Sequence, residues 1–167
     1  MKKILLASLL VFSVMMTVNA QWFTDKLPAQ LTNAEGKMFS AADTLKGKIV
    51  GVYFSASWCP PCRAFTPQLV EFYNKVRKNG GNFELILVSC DRNKNTMMEY
   101  MKKYDMPFLA SPFRDPMTQA LMRDLQVRGI PTLAIYSADG KLITTAGRND
   151  VMKNGVKAFD NWSAQSK

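Results

Sequence analysis

A chain of 167 residues, 47% hydrophobic and 21% charged, has the size and composition of one globular domain. It contains no histidine, which excludes serine–histidine and cysteine–histidine catalytic pairs and every histidine-containing zinc site. The formal charge of +9 comes from scattered lysines and arginines, with no like-charge run of the kind that makes a nucleic-acid tail, so no nucleic-acid partner is expected.

The chain opens with Met1-Lys2-Lys3, a basic segment, followed by the apolar "ILLASLLVFSVMMTV". Val18 and Ala20 then occupy the small-residue positions of a cleavage site ahead of Gln21. This order reads as a secretory signal peptide over residues 1–20, leaving a domain of residues 21–167 outside the cytoplasm. The apolar stretch is shorter than the about 20 residues a membrane span needs.

"LTNAEGKMF" reads as two short extended pieces around a turn at Asn33 to Gly36. "KIVGVYFSA", from Lys48 to Ala56, is a β-branched and aromatic run, a buried strand that leads straight into Trp58-Cys59. From Arg63 to Lys78 the period changes. Phe65, Leu69, Phe72, Tyr73 and Val76 fall on one face of a helix. Pro67 should kink that helix and Gly80-Gly81 should end it. "FELILVS" is a second buried strand. A short helix follows, with Met97, Met101 and Tyr104 on one face.

"DMPFLASPF" interrupts the pattern with two prolines. Asp115 can cap a helix that starts at Pro116, with Met117, Leu121 and Leu125 inward. "VRGIPT" turns into the strand "LAIY", and Asp139-Gly140 makes a hairpin to "KLITT". Met152, Val156 and Phe159 mark a last amphipathic helix. The methionines fall mostly on apolar faces and read as core filler. An early βαβ unit needs a parallel pair with a right-handed crossover, and the late hairpin adds antiparallel strands. The sequence predicts an α/β sandwich with a mixed central sheet and helices on both faces.

The chemistry sits in "SASWCPPCRAFTP", Ser55 to Pro67. Cys59 and Cys62 are open to three readings: a redox pair, half of a metal site, or a structural disulfide. A structural zinc takes about four ligands, and the three cysteines, Cys59, Cys62 and Cys90, do not supply them. A disulfide scaffold would use more cysteines, in even number. At i and i+3 of a helix start, both sulfurs can meet on one side of the first turn. Cys62 shares the apolar face of Phe65 and Leu69 and should point inward. Cys59, at the tip, should be the accessible thiol. Unpaired N–H groups and the positive end of the helix dipole favour its thiolate, which is the nucleophilic form, and Arg63 adds a nearby positive charge. Pro60 and Pro61 fit a first helical turn but remove N–H donors. A less stabilised thiolate means a more stable disulfide and reductant character. Cys90, beside Asp91, reads as a small packed hydrophobe. Arg128, two residues before Ile130, suits either acidic substrate groups or plain solvation.

"WCPPC" at a strand-to-helix junction, Pro67 beyond it and "GIPT" before the late hairpin together resemble the thioredoxin superfamily. "VYFSASWCPPCRAFTPQLVEFYNK" and "MPFLASPF" are similar to its nucleoredoxin and tryparedoxin branch, and the similarity covers most of residues 47–147. The resemblance implies a thioredoxin-like three-layer sandwich. It implies that Cys59 is the nucleophile and Cys62 the resolving half of a redox disulfide. It implies a cis Pro131 facing the thiols, Ile130 docking substrate backbone, and Trp58 flanking the site; Pro60 is expected to touch substrate as well, and Arg63 and Arg128 are candidate modulators by their charge. No cofactor and no metal are implied.

Thioredoxin proper carries a buried acid six residues before the first cysteine, where this chain has Tyr53; the proton acceptor for Cys62 is therefore unnamed. Glu71 lies roughly 13 Å along the helix from Cys62, on the far side. The branch is intracellular, whereas the N-terminus here predicts export, most simply to a periplasm. The expected function is an exported thiol–disulfide oxidoreductase, a reductase rather than an oxidase, and a monomer. Its substrates would be disulfide-bonded proteins or peptides, and a membrane-linked thiol donor would re-reduce it. The competing expectation is a binding or chaperone module with an inert disulfide. A thiol peroxidase ranks below both, because the second cysteine is too near.

Overall fold

The computed structural model describes residues 25–166. The expected signal peptide, residues 1–20, lies outside the described residues. A seven-stranded sheet is built from β1 (Gln30–Thr32), β2 (Met38–Ser40), β3 (Ile49–Ser55), β4 (Phe83–Ser89), β5 (Leu109–Ala110), β6 (Thr132–Tyr136) and β7 (Leu142–Thr144). Their spatial order is β2-β1-β5-β4-β3-β6-β7. β3, β4 and β5 run parallel, and β1, β6 and β7 complete a mixed sheet through antiparallel pairs. Among the described residues the named helices are, in chain order, α1 (Ala41–Leu45), α2 (Pro60–Lys78), α3 (Lys94–Lys103), α4 (Pro116–Asp124), α5 (Gly147–Asn154) and α6 (Lys157–Gln165).

Alternation along β3 explains the layers, since successive side chains leave opposite faces of a strand. Val50, Val52 and Phe54 meet Leu45 of α1 and Leu121 of α4. Ile49 and Tyr53 meet the other core, built from α2, α3, α5 and α6. Every residue of β3 and β4 is buried, which is why both strands read as near-continuous apolar runs. Trp162 of α6 packs edge-on to Phe72 at 5.6 Å and lies 5.9 Å from Phe83. Its indole N–H donates to Asp150 at 3.1 Å, so the last helix is docked by a large apolar surface and a satisfied polar tip.

α2 starts at Pro60 with Cys59 as its cap, as expected of a helix opened by the two cysteines, and it stays helical past Pro67. Several expectations are corrected. β5 was not legible, because two strand residues sit between prolines. The C-terminal segment is two helices rather than one, divided at Gly155 with φ +53°, a backbone region that suits glycine. The turn shifts the helical phase, so Met152 is 52% exposed while Val151, Ala158 and Trp162 face the core. Among the described residues no helix is long and apolar enough to cross a membrane.

Gly147 opens α5 directly against β6. A Cβ there would lie 2.8 Å from the Leu133 carbonyl oxygen and 3.0 Å from Ile135 Cγ1. Gly147→Ala should therefore cost about 1–3 kcal/mol, lowering the melting temperature by about 2–4 °C per kcal/mol in a domain of this size. An unchanged melting curve would show that α5 can lift from the strand freely.

Candidate active site

β3 and β4 end side by side, with Ser55 paired to Ser89, and the site is built on the loops that leave them. Asp91 ties these loops together. Its buried carboxylate accepts from the Ser57 backbone N–H at 2.9 Å, the Ser57 hydroxyl at 2.7 Å and the Ser89 hydroxyl at 2.8 Å. The Trp58 indole N–H donates to the Cys90 carbonyl at 3.1 Å, leaving the ring 56% exposed beside the cysteines. The loop after β3 is thus pinned on both sides of its turn into α2.

Cys59 is the N-cap of α2. It is disulfide-bonded to Cys62, with the two Cα atoms 5.2 Å apart. Pro60 and Pro61 contribute no N–H, so the Cys62 N–H, 3.3 Å from Cys59 Sγ, is the donor left to that sulfur in the first turn. Ile130–Pro131 is a cis peptide bond, and the Ile130 carbonyl oxygen lies 3.6 Å from Cys59 Sγ. Ile130 and Cys90 both pack against the cluster of Ala56, Cys59 and Cys62. The expected exposure of Cys59 is corrected by this loop. Cys59 is 4% exposed and Cys62 fully buried, because a segment 71 residues away covers both. Of the other expected residues, Trp58, Pro60, Arg63 and Arg128 are exposed, Ile130 is half-buried and Pro131 is buried.

Beneath Cys62 lies a hydroxyl chain that sequence reasoning missed. Thr66 Oγ1 is 2.9 Å from the Cys62 carbonyl, 2.8 Å from the Tyr53 hydroxyl and 2.6 Å from the Tyr100 hydroxyl. Ser55 Oγ is 3.0 Å from Tyr100. A carbonyl only accepts, so Thr66 gives its single proton to Cys62. Both tyrosines must then donate to Thr66, and Ser55 to Tyr100. Burial, and secondly Tyr100, push the Tyr53 phenol well above its ordinary range. It is a fixed donor, not a base, at the place where thioredoxin proper carries an acid. Tyr100 shares the apolar face of Met97 and Met101, and a phenol on such a face was the available signal. Asp91 had none beyond its place after a buried strand.

Cys90 is half-buried and not disulfide-bonded. Burial, and secondly Asp91, push its thiol above the ordinary cysteine range. Arg148, also unanticipated, stacks its guanidinium over the Phe65 ring at 5.9 Å, one turn beyond Cys62. Among the described residues, no three cysteine, aspartate or glutamate side chains gather as a metal-ligand set.

A family model described as thioredoxin-like matches residues 47–142. The chain belongs to the thioredoxin-like family. It is 44% identical to probable nucleoredoxin 1 of Arabidopsis thaliana over 115 residues, covering 69% of this chain and 20% of that protein. With human nucleoredoxin it shares 39% over 133 residues, 79% of this chain and 30% of the relative. The chain therefore spans less than a third of the nucleoredoxins it matches. The solved tryparedoxin of Trypanosoma brucei is 39% identical with a TM-score of 0.74, covering 84% of this chain and 97% of that one.

Two outcomes are expected. Thr66→Val removes the acceptor that the Tyr53 and Tyr100 phenols share, and an unsatisfied buried phenol costs about 1–3 kcal/mol. Adding Tyr53→Phe should recover part of that loss, so a denaturation cycle over the four proteins should be non-additive; additivity would uncouple the two residues. With the Cys59–Cys62 disulfide intact, Cys90 is the free thiol. Its raised pKa lowers the thiolate fraction at a given pH, so iodoacetamide should label it slowly at pH 8 and faster at each step above. A labelling rate already flat by pH 8 would contradict the burial argument.

Proposed function

We propose that this chain is an exported thiol–disulfide oxidoreductase that acts as a reductase. The supporting observation is the Cys59–Cys62 pair at the start of α2, with Cys59 Sγ 3.6 Å from the carbonyl of a cis-proline loop. In the reduced protein, Cys59 thiolate attacks one sulfur of a substrate disulfide. The substrate S–S bond breaks, a mixed disulfide forms, and the leaving thiolate takes a proton. Cys62 then loses its proton and attacks Cys59 Sγ, releasing the second substrate thiol and leaving Cys59–Cys62 oxidised. Two electrons pass from the pair to the substrate; one of the two thiol protons comes from Cys62 and the other from solvent, with no bound cofactor.

The geometry supports Cys59 as the attacking thiol and Cys62 as the resolving one. Cys59 is at the helix tip, where the dipole and the Cys62 N–H favour its thiolate. Cys62 is fully buried and reaches no disulfide except one already bonded to Cys59. Trp58, Pro60 and Arg63 form the exposed border of the site, and Ile130 and Pro131 its opposite wall. The two prolines argue for direction. With a single first-turn donor, the thiolate is weakly held and the disulfide favoured. Export rests on the sequence of residues 1–20. It places the protein in a periplasm, acting on disulfide-bonded proteins or peptides as a monomer. In that oxidising compartment, re-reduction requires a thiol donor linked to the membrane.

Trapping and potential test the reading together. Cys62→Ser should accumulate mixed disulfides with substrate proteins, and Cys59→Ser none. The potential of the couple should fall near the roughly −270 mV of thioredoxin, and a value above about −180 mV would reverse the direction. No trapping and no turnover with dithiothreitol would leave a binding module with an inert disulfide.

A further inference from the structure

The strand register brings four loops to one end of the sheet. Ser55 of β3 pairs with Ser89 of β4, and Phe54 pairs with Thr132 at the start of β6. β5 runs parallel to β4, with Ala110 opposite Leu87. Residues 56–63, 90–94, 111–115 and 127–131 therefore lie at one end of the sheet, where Cys90 and Ile130 pack against the Cys59–Cys62 cluster. Each of the four supplies at least one exposed cation: Arg63, Arg92 with Lys94, Arg114, and Arg128. Two carboxylates stand against these five cations. Asp91 is buried and takes three hydrogen bonds. Asp115 is occupied in capping α4 through the Met117 N–H at 2.9 Å. The other acids of the described chain lie on other loops and helices, and three of them, Glu84, Glu71 and Asp139, are ion-paired with lysines. Among the described residues, no ion pair engages Arg63, Arg92 or Arg128.

A second observation extends this positive rim in one direction. Arg128 stands two residues before Ile130, whose carbonyl lies against Cys59 Sγ. It also borders an open cleft of about 550 Å³, lined by Gln119, Met122, Arg123, Gln126, Val127 and Arg128. Arg123 and Arg128 are both exposed, Met122 and Val127 are apolar, and no acid lines the cleft. A peptide leaving the attacked sulfur past Ile130 would pass Arg128 and enter it.

We infer that the preferred substrate is a protein disulfide flanked by acidic residues, with the acidic segment seated in the Arg123–Arg128 cleft. This rests on the oxidoreductase reading and adds to it the chemistry that selects the substrate. Like-signed charge lining a site raises the encounter rate of oppositely charged partners by about tenfold or more, and salt removes the effect. The same rim repels a disulfide flanked by lysines.

The test uses the reduced protein and two synthetic peptides that carry the same intramolecular disulfide, one flanked by glutamates and one by lysines. Thiol release is followed by rapid quench and mass spectrometry, with hydroxyethyl disulfide as a neutral substrate. The expected result is a rate for the glutamate peptide about tenfold or more above that for the lysine peptide at low salt, with the ratio falling towards one as salt rises. Arg123→Glu/Arg128→Glu should bring the ratio to one or below, and the milder Arg128→Gln should lower it part-way. Equal, salt-independent rates on both peptides, with hydroxyethyl disulfide still reduced, would overturn the acidic-substrate inference and leave the oxidoreductase reading standing. A protein that reduces none of the three would overturn the reading itself.

Discussion

Strand β3 is the constraint on which the rest depends. It pairs with β4 on one edge over all seven of its residues and with β6 on the other over five. One edge fixes where the loop carrying Asp91 begins, and the other fixes where the cis-proline loop ends. Its own C-terminus delivers Cys59 between them. The contact between Ile130 and Cys59 Sγ is thus a consequence of strand register. A slip by one residue would turn Val52 and Phe54 into the opposite core and carry both loops away from the thiols.

The same strand decides what lies under the pair. Residue Tyr53 faces the α2 side, where its phenol reaches Thr66 one turn after Cys62. An ionisable acid at this place would give the buried thiol a proton acceptor and give the fold an unpaired buried charge, a costly group in a dry core. The hydroxyl chain of Ser55, Tyr100, Tyr53 and Thr66 avoids that charge and fixes the direction of every proton along it. Its hydroxyls are neutral and each gives its proton to the next, so the chain sets no ionised base beneath Cys62.

The architecture was legible where burial on both faces wrote continuous apolar runs, as in β3 and β4, and where a helix kept one phase, as in Phe65 to Val76. It was illegible where few residues carried the signal. β5 is two residues between prolines, and the break at Gly155 shifts the phase of a pattern that looked single. The cysteines, their order and their tryptophan and proline neighbours were readable because they are contiguous. The cover over Cys59, the Asp91 tie and the Thr66 hub were not, since each joins segments that meet only after the sheet has formed. Tyr100 looked like core because its ring is core; only its hydroxyl serves the site.

Trp58 has one further consequence. Its ring is exposed, directly precedes Cys59 and is fixed by the hydrogen bond to the Cys90 carbonyl. An excited indole passes energy or an electron readily to an adjacent S–S bond, whereas Trp162 sits in the far core among Phe72 and Phe83. Emission from the rim should therefore dim when the pair closes and brighten when it opens, while Trp162 contributes light that does not follow the pair.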